Sequence, residues 1–294
     1  MARYATLLAL CLASCAAPLT HGQPVEIVPQ GHWQISGAAG VSASTGIVDV
    51  VDLAKNQAST LAKQQLGCKA ADRSDCAKLT QVRDLERAFY TAGLGGLIDP
   101  VAELSVHYGL LPWMDVGGRV SGGAQRLDLD WQLVDGGADH QGWMALASLS
   151  YSHQTASVPV APVQTILKNL GLDDTGRHNL DFALATGKRL GDIGWLTFGA
   201  RYLVGRYTID LRPKVPVLDD VFANAIVDAI PKTDESGLSH HVGGFAHVLL
   251  GYKHVFAGLE LTGTYFFADA TLLGKKEHFS GFAIQPAVTV VTRF

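Results

Sequence analysis

Hydrophobic side chains recur at every second position through much of this 294-residue chain. From Trp33 to Ala43 one face carries Trp33, Ile35, Gly37, Ala39, Val41 and Ala43, and the other Gln34, Ser36, Ala38, Gly40 and Ser42. Ala102, Leu104, Val106, Tyr108 and Leu110 oppose Glu103, Ser105, His107 and Gly109. Leu127, Leu129, Trp131 and Leu133 oppose Arg126, Asp128, Asp130 and Gln132, and Ala257, Leu259, Leu261, Tyr265 and Phe267 oppose Gly258, Glu260, Thr262 and Thr264. A period of two is that of a β-strand with one apolar and one polar face. The fold class is therefore all-β, and the two faces of the sheet meet different surroundings.

Two arrangements satisfy that pattern, a soluble sandwich and a closed membrane barrel. A sandwich turns a charged face to water. Here only 17% of residues are charged, against about 25% in soluble domains, and the second faces are rich in Gly, Ser, Thr and Ala. Small residues suit the inside of a narrow barrel. Beyond the first twenty residues no uncharged apolar run reaches the ~18–20 residues of a membrane helix. A closed sheet is the other way to satisfy backbone hydrogen bonds in hydrocarbon. Aromatic residues at the ends of the apolar rows, namely Trp33, Tyr108, Trp131, Trp143, Tyr151, Trp195 and Tyr252, fit interfacial girdles.

Strands are expected near 31–45, 101–111, 114–122, 126–134, 141–154, 178–189, 194–211, 238–253, 255–269 and 280–294. The third and fourth could merge through a bulge at Gln125, where the apolar face changes parity. Split, they give ten, and single-chain bacterial barrels use even numbers. Connections at 111–114, 135–140, 189–193 and 253–255 are short; those at 46–100, 155–177 and 212–237 are long. Short turns on the inner side and long loops outside are the expected asymmetry. The domain reading is a signal segment at 1–20, a periplasmic linker at 21–30 and one up-and-down barrel domain at 31–294.

Residues Tyr4 to Thr20 follow Arg3 as a short apolar stretch ending in small residues, the pattern of a secretory signal. Within it, Leu12-Ala13-Ser14-Cys15 resembles the bacterial lipobox, which implies lipidation of Cys15. The chain ends Gln285-Pro-Ala-Val-Thr-Val-Val-Thr-Arg-Phe294, which resembles the C-terminal assembly signal of bacterial outer-membrane β-barrels; Thr292 stands where an apolar residue is usual, and Pro286 falls mid-strand. The stretch Glu103 to Arg119, turning at Leu111-Pro-Trp-Met-Asp115, is similar to a hairpin of small outer-membrane proteins. The resemblance implies a location in the bacterial outer membrane, long loops on the cell surface, and the bilayer and barrel-assembly machinery as partners.

Three helical insertions are expected in the long loops, at 47–92, 158–171 and 215–231. Ile47, Val50, Val51, Ala54, Ala58, Leu61 and Ala62 recur at helical spacing, and Leu218, Val221, Phe222, Ala225, Ile226, Ala229 and Ile230 form an amphipathic stripe. Leu79, Val82, Leu85 and Phe89 repeat the helical spacing, and between that run and the one from Ile47 to Ala62 lie Cys68 and Cys76, which an oxidising compartment would join as a disulfide.

The inward polar set is Glu103, His107, Arg119, Arg126, Asp128, Asp130, Arg201, Glu260 and Arg293. In a narrow lumen such mixed charges are expected to pair with one another. Barrels of about eight strands are filled by side chains, so ten disfavour a wide porin and leave a narrow or gated pore. His240 and His241 fall on opposite strand faces and His247 lies too far along, so no metal signature and no cofactor is expected. Asp128-Leu-Asp130-Trp131 resembles the paired aspartates of omptins, barrel proteases, which implies a water held by Asp128 and Asp130 with His153 or His241 as base. The sequence has no Asp-x-His pair, the other half of that pattern. The near balance of 23 basic and 27 acidic residues, net −4, argues against nucleic acid as partner. The leading expectation is a non-enzymatic barrel for passage or binding of small, including apolar, molecules. The alternatives are a surface structural or recognition protein anchored by the barrel, and an omptin-like hydrolase.

Overall fold

The computed structural model describes residues 20–45, 98–121, 124–137, 142–155, 176–211, 233–272 and 275–294. The helical insertions, Cys15, Cys68 and Cys76 lie outside the described residues.

Ten strands follow one another: β1 (Trp33–Ser44), β2 (Ile98–Leu111), β3 (Met114–Ser121), β4 (Ala124–Asp135), β5 (Trp143–Thr155), β6 (Gly176–Arg189), β7 (Gly194–Leu211), β8 (Thr233–Tyr252), β9 (Val255–Leu272) and β10 (Lys275–Arg293). Each pairs antiparallel with its sequence neighbours, and β1 pairs with β10 to close the barrel. β3 and β4 are separate strands, paired from Met114–Trp131 to Ser121–Ala124. The seam is clamped at one end by Trp33 and the terminal residue: each backbone N–H donates to the other's carbonyl, at 2.7 Å from Trp33 and 3.0 Å from Phe294. The seam ladder lapses between the Gly40–Ala287 and Ala43–Ile284 pairs, alongside Pro286, which has no N–H to give.

The alternation sorts as the period demands. On β6, Arg177, Asn179, Asp181, Ala183 and Ala185 are buried inside, while Leu180, Phe182 and Leu184 are exposed on the outer wall. Leu127, Leu184 and Leu259 are 60–70% exposed outside (68%, 61% and 62%), an arrangement stable only against hydrocarbon. Trp33, Tyr108, Trp131, Trp143 and Tyr252 ring the end bearing the tight 111–114, 189–194 and 252–255 connections, with Trp33 and Tyr108 packed at 4.7 Å. Toward the other end, Tyr151 meets His178, and Tyr202, His240 and Phe267 stack in a row. Trp143 and Tyr151 are eight residues apart on β5. That is about 26 Å along a strand, or about 20 Å along the normal at ~40° tilt, close to the apolar band of such barrels.

Trp195 is the exception among the girdle residues. It points inward, is 3% exposed, and meets Phe256 edge-on at 4.6 Å. Trp195 is the second residue of β7 and has inward parity, shared with Thr197 and Arg201, so an aromatic at a strand end here serves the interior.

Candidate functional site

The interior is occupied by the chain itself. Residues 21–30, read from sequence as a linker, run back into the barrel ahead of β1, and Thr20 to Val28 are buried there apart from the half-buried Glu26. Gly31 donates to the Gly109 carbonyl at 2.9 Å where the segment crosses the turn end. From there its backbone donates to wall side chains in sequence: Val28 N–H to Asp115 at 2.8 Å, Ile27 to Gln132 at 2.9 Å, Val25 to Thr197 at 3.2 Å. Deeper in, Gly22 and His21 donate to the two oxygens of Glu260 at 2.8 and 2.6 Å, and Thr20 Oγ1 donates to Glu103 at 2.8 Å. Gly22 has φ +67°, a conformation glycine adopts without penalty, which lets both amides face one carboxylate.

The segment is held by packing as well. Val25 and Ile27 enter a cluster with Met144, Leu146, Trp195, Phe245, Leu249 and Phe256, inward residues near the turn end. His21 stacks on Phe245 at 4.3 Å. Glu26 accepts from Trp195 Nε1 at 2.8 Å and pairs with Arg293 at 3.4 Å. Arg293 also donates to Gln34 at 2.7 Å and lies over the Trp195 ring.

Beyond this cluster the wall charges form an alternating chain across five strands. Glu103 meets Arg119 at 3.1 Å, Arg119 meets Asp128 at 2.6 Å, and Asp128 meets Arg126 at 2.6 Å through its other oxygen. Arg126 continues to Asp181 at 3.2 Å, and Asp181 to Arg201. Arg119 also donates to the His21 carbonyl at 2.5 Å, which joins the chain of charges to the segment. In such a medium an ion pair stands only when its remaining hydrogen-bond capacity is met, and Ser150 takes a further Arg126 N–H at 2.8 Å.

His107 lies beside this chain, with two carboxylates near Nδ1 and one near Nε2. Nδ1 is 3.4 Å from Asp115 Oδ1 and 3.7 Å from Asp130 Oδ2, and Nε2 is 3.7 Å from Asp128 Oδ2. Gly117 is its register partner on β3, where a Cβ would come within 2.2 Å of the ring. Glu103, His107, Arg119, Asp128, Asp130, Arg201 and Glu260 thus line one interior, with Asp128 engaged by two guanidinium groups. The bases suggested by the omptin resemblance stand apart: His153 points out against His178 at 3.3 Å, and His241 meets Arg177 at 2.8 Å. The residues the sequence did not single out are Asp115, Asp181, Gln23 and Glu26. Asp115 sits in a stretch read for its turn, and its inward direction follows from register with Asp130.

A closed ten-stranded antiparallel barrel, greasy outside and charged and filled inside, defines an outer-membrane β-barrel. Solved structures similar to this chain are of that kind. Neisserial surface protein A shares 10% identity, with 90% of this chain and 98% of that chain covered and a TM-score of 0.32. The outer membrane protease OmpT from Escherichia coli shares 8%, with 90% and 96% covered and a TM-score of 0.35. At that identity and score neither lends this chain a residue role. No protein-family model and no curated protein matches the chain.

Proposed function

We propose that this protein is a non-enzymatic resident of the bacterial outer membrane whose barrel is a closed anchor, with the long connections as the working surface for a partner. The observation that carries this reading is the occupied lumen: nine residues, Thr20 to Val28, fill the turn-end half and bond to walls on every side. The apolar pocket that a greasy small molecule would seek is taken by Val25 and Ile27. Four short connections, at 111–114, 135–143, 189–194 and 252–255, share one end with the paired N-terminus of β1 and C-terminus of β10. We place that end in the periplasm, so that the three long connections face outward beside the short 121–124 and 272–275 ones. In the same reading Cys15 is lipidated, Cys68 and Cys76 form a disulfide, and Phe294 is read by the assembly machinery.

Gated passage of small molecules is the second reading. The polar wall contacts of the segment favour it, because water can replace them when the segment leaves. A hydrolase receives less support, since both Asp128 oxygens are occupied by Arg119 and Arg126. Planar-bilayer recording separates the readings. The full chain is expected to be electrically silent, and removal of residues 20–28 to give discrete conductance steps. Steady conductance from the unaltered chain would overturn the closed-anchor reading.

A further inference from the structure

We propose that His107, Asp115 and Asp130 bind one first-row divalent cation, of which zinc is the type, inside the barrel beside the N-terminal segment. The inference does not depend on the anchor reading.

The first ground is charge. Among the described residues, the buried carboxylates are Glu103, Asp115, Asp128, Asp130, Asp181 and Glu260; the buried arginines are Arg119, Arg126, Arg177 and Arg201. Six against four leaves two negative charges in excess. The alternating chain from Glu103 to Arg201 is neutral in itself, so the excess falls outside it. Asp115 and Asp130 are directly opposite one another on β3 and β4, both inward and both about 1% exposed. Like charges facing across a sheet repel, and among the described residues no arginine is hydrogen-bonded to or ion-paired with either.

The second ground is geometry. One ligand atom from each of His107, Asp115 and Asp130 lies within 4.8 Å of the other two, and His107 Nδ1 is 3.4 Å from Asp115 Oδ1 and 3.7 Å from Asp130 Oδ2. Donors bonded to one zinc at about 2.0–2.1 Å stand about 3.4 Å apart when tetrahedral. Asp130 Oδ2 is buried without a hydrogen-bond partner and faces the other two donors, while Oδ1 accepts from Ser148 and Asp115 Oδ2 from the Val28 N–H. One imidazole with carboxylates suits a first-row metal better than calcium, which gathers six to eight oxygens. The Gln23 carboxamide nitrogen lies against the ring, 2.6 Å from Nδ1, well inside the ~3.4 Å spacing of two zinc ligands, so the donor set is the three side chains. The cation would tie β2, β3 and β4 together and, through Asp115, hold Val28.

The test uses the full chain refolded in detergent micelles, with zinc chloride and cobalt chloride as probes. Among the described residues, His153 with His178, and the exposed His278–Asp269 pair at 2.8 Å, are surface competitors. Zinc is expected to bind at one equivalent in the variant His153→Gln/His178→Gln/His278→Gln, and at least tenfold more weakly when Asp130→Asn is added. Zinc should also raise the urea midpoint of the former and not of the latter. If Asp130→Asn does not fold, the cobalt spectrum of the histidine variant decides: an intense four-coordinate band supports the site. No zinc retained by the histidine variant, or a cobalt spectrum like that of the free aqua ion, would overturn it and leave Asp115 and Asp130 sharing a proton instead.

Discussion

Glu260 on β9 holds Gly22 through its backbone: one carboxylate oxygen accepts the Gly22 N–H at 2.8 Å and the other accepts the His21 N–H at 2.6 Å. Thr262 donates to the same carboxylate at 3.0 Å. A bond to a charged acceptor is worth about 1.5–3 kcal/mol, and a buried donor left without one costs about 1–3 kcal/mol. Glu260→Ala is therefore expected to destabilise the barrel by about 2–4 kcal/mol, and Glu260→Gln by less because one acceptor survives. Urea unfolding in lipid vesicles, followed by tryptophan fluorescence, measures both. A change below ~0.5 kcal/mol for the alanine variant would mean that the segment is not seated on β9.

The alternating charges make a different prediction, one of coupling. Asp128→Ala leaves Arg119 and Arg126 without their shared carboxylate, and breaking a buried pair costs about 3–5 kcal/mol. Once Asp128 is gone, Arg126 has lost one of its two carboxylates. Arg126→Ala should then cost less in the Asp128→Ala background than in the unaltered chain, a non-additivity of about 0.5–3 kcal/mol. Additive losses in the same unfolding assay would mean that the two residues do not act as one network.

The outer wall is tested at Leu184. It is 61% exposed and pairs with Ala147 on β5, midway between the girdle positions Trp143 and Tyr151. On a soluble surface an exposed leucine exchanged for arginine changes stability by about 0.5 kcal/mol or less. At the midplane of a bilayer the same change costs about 2–4 kcal/mol. Leu184→Arg is expected to show the larger value in vesicles, while an unchanged stability would argue that this wall meets water.

The wall was far more legible in the sequence than its contents. Leu127 opposite Asp128, or Leu259 opposite Glu260, is a local signal, because neighbouring side chains on a strand point to opposite faces whatever the rest of the chain does. The lumen residues followed by parity. Their pairing did not, since Arg126 meets Asp181 across β4 and β6, a relation set by curvature and closure. The site at His107 is less visible still, with donors on three strands and no fixed spacing. The buried segment did leave a trace. β5 opens Trp143-Met144-Ala145-Leu146, apolar on both faces, and Val25-Glu26-Ile27-Val28 is too greasy for a solvated linker. Read together, an apolar inner face at the turn end and an apolar run ahead of β1 are the signal for a filled interior. Trp195 reads as a girdle residue from its type alone, because an aromatic side chain at a strand end looks the same in sequence whether it meets the interface or the interior.

Thiol accessibility across the N-terminal segment tests the filled lumen most directly. With the native cysteines replaced by serine, Val25→Cys and Gln30→Cys each place one thiol on the segment, the first at a position with no exposure and the second at an exposed one. In barrels folded into vesicles, a membrane-impermeant maleimide present on both sides of the bilayer is expected to label residue 30 at least a hundredfold faster than residue 25, and the two equally after unfolding. Equal rates in the folded protein would show that residues 20–28 lie outside the barrel, which contradicts the account.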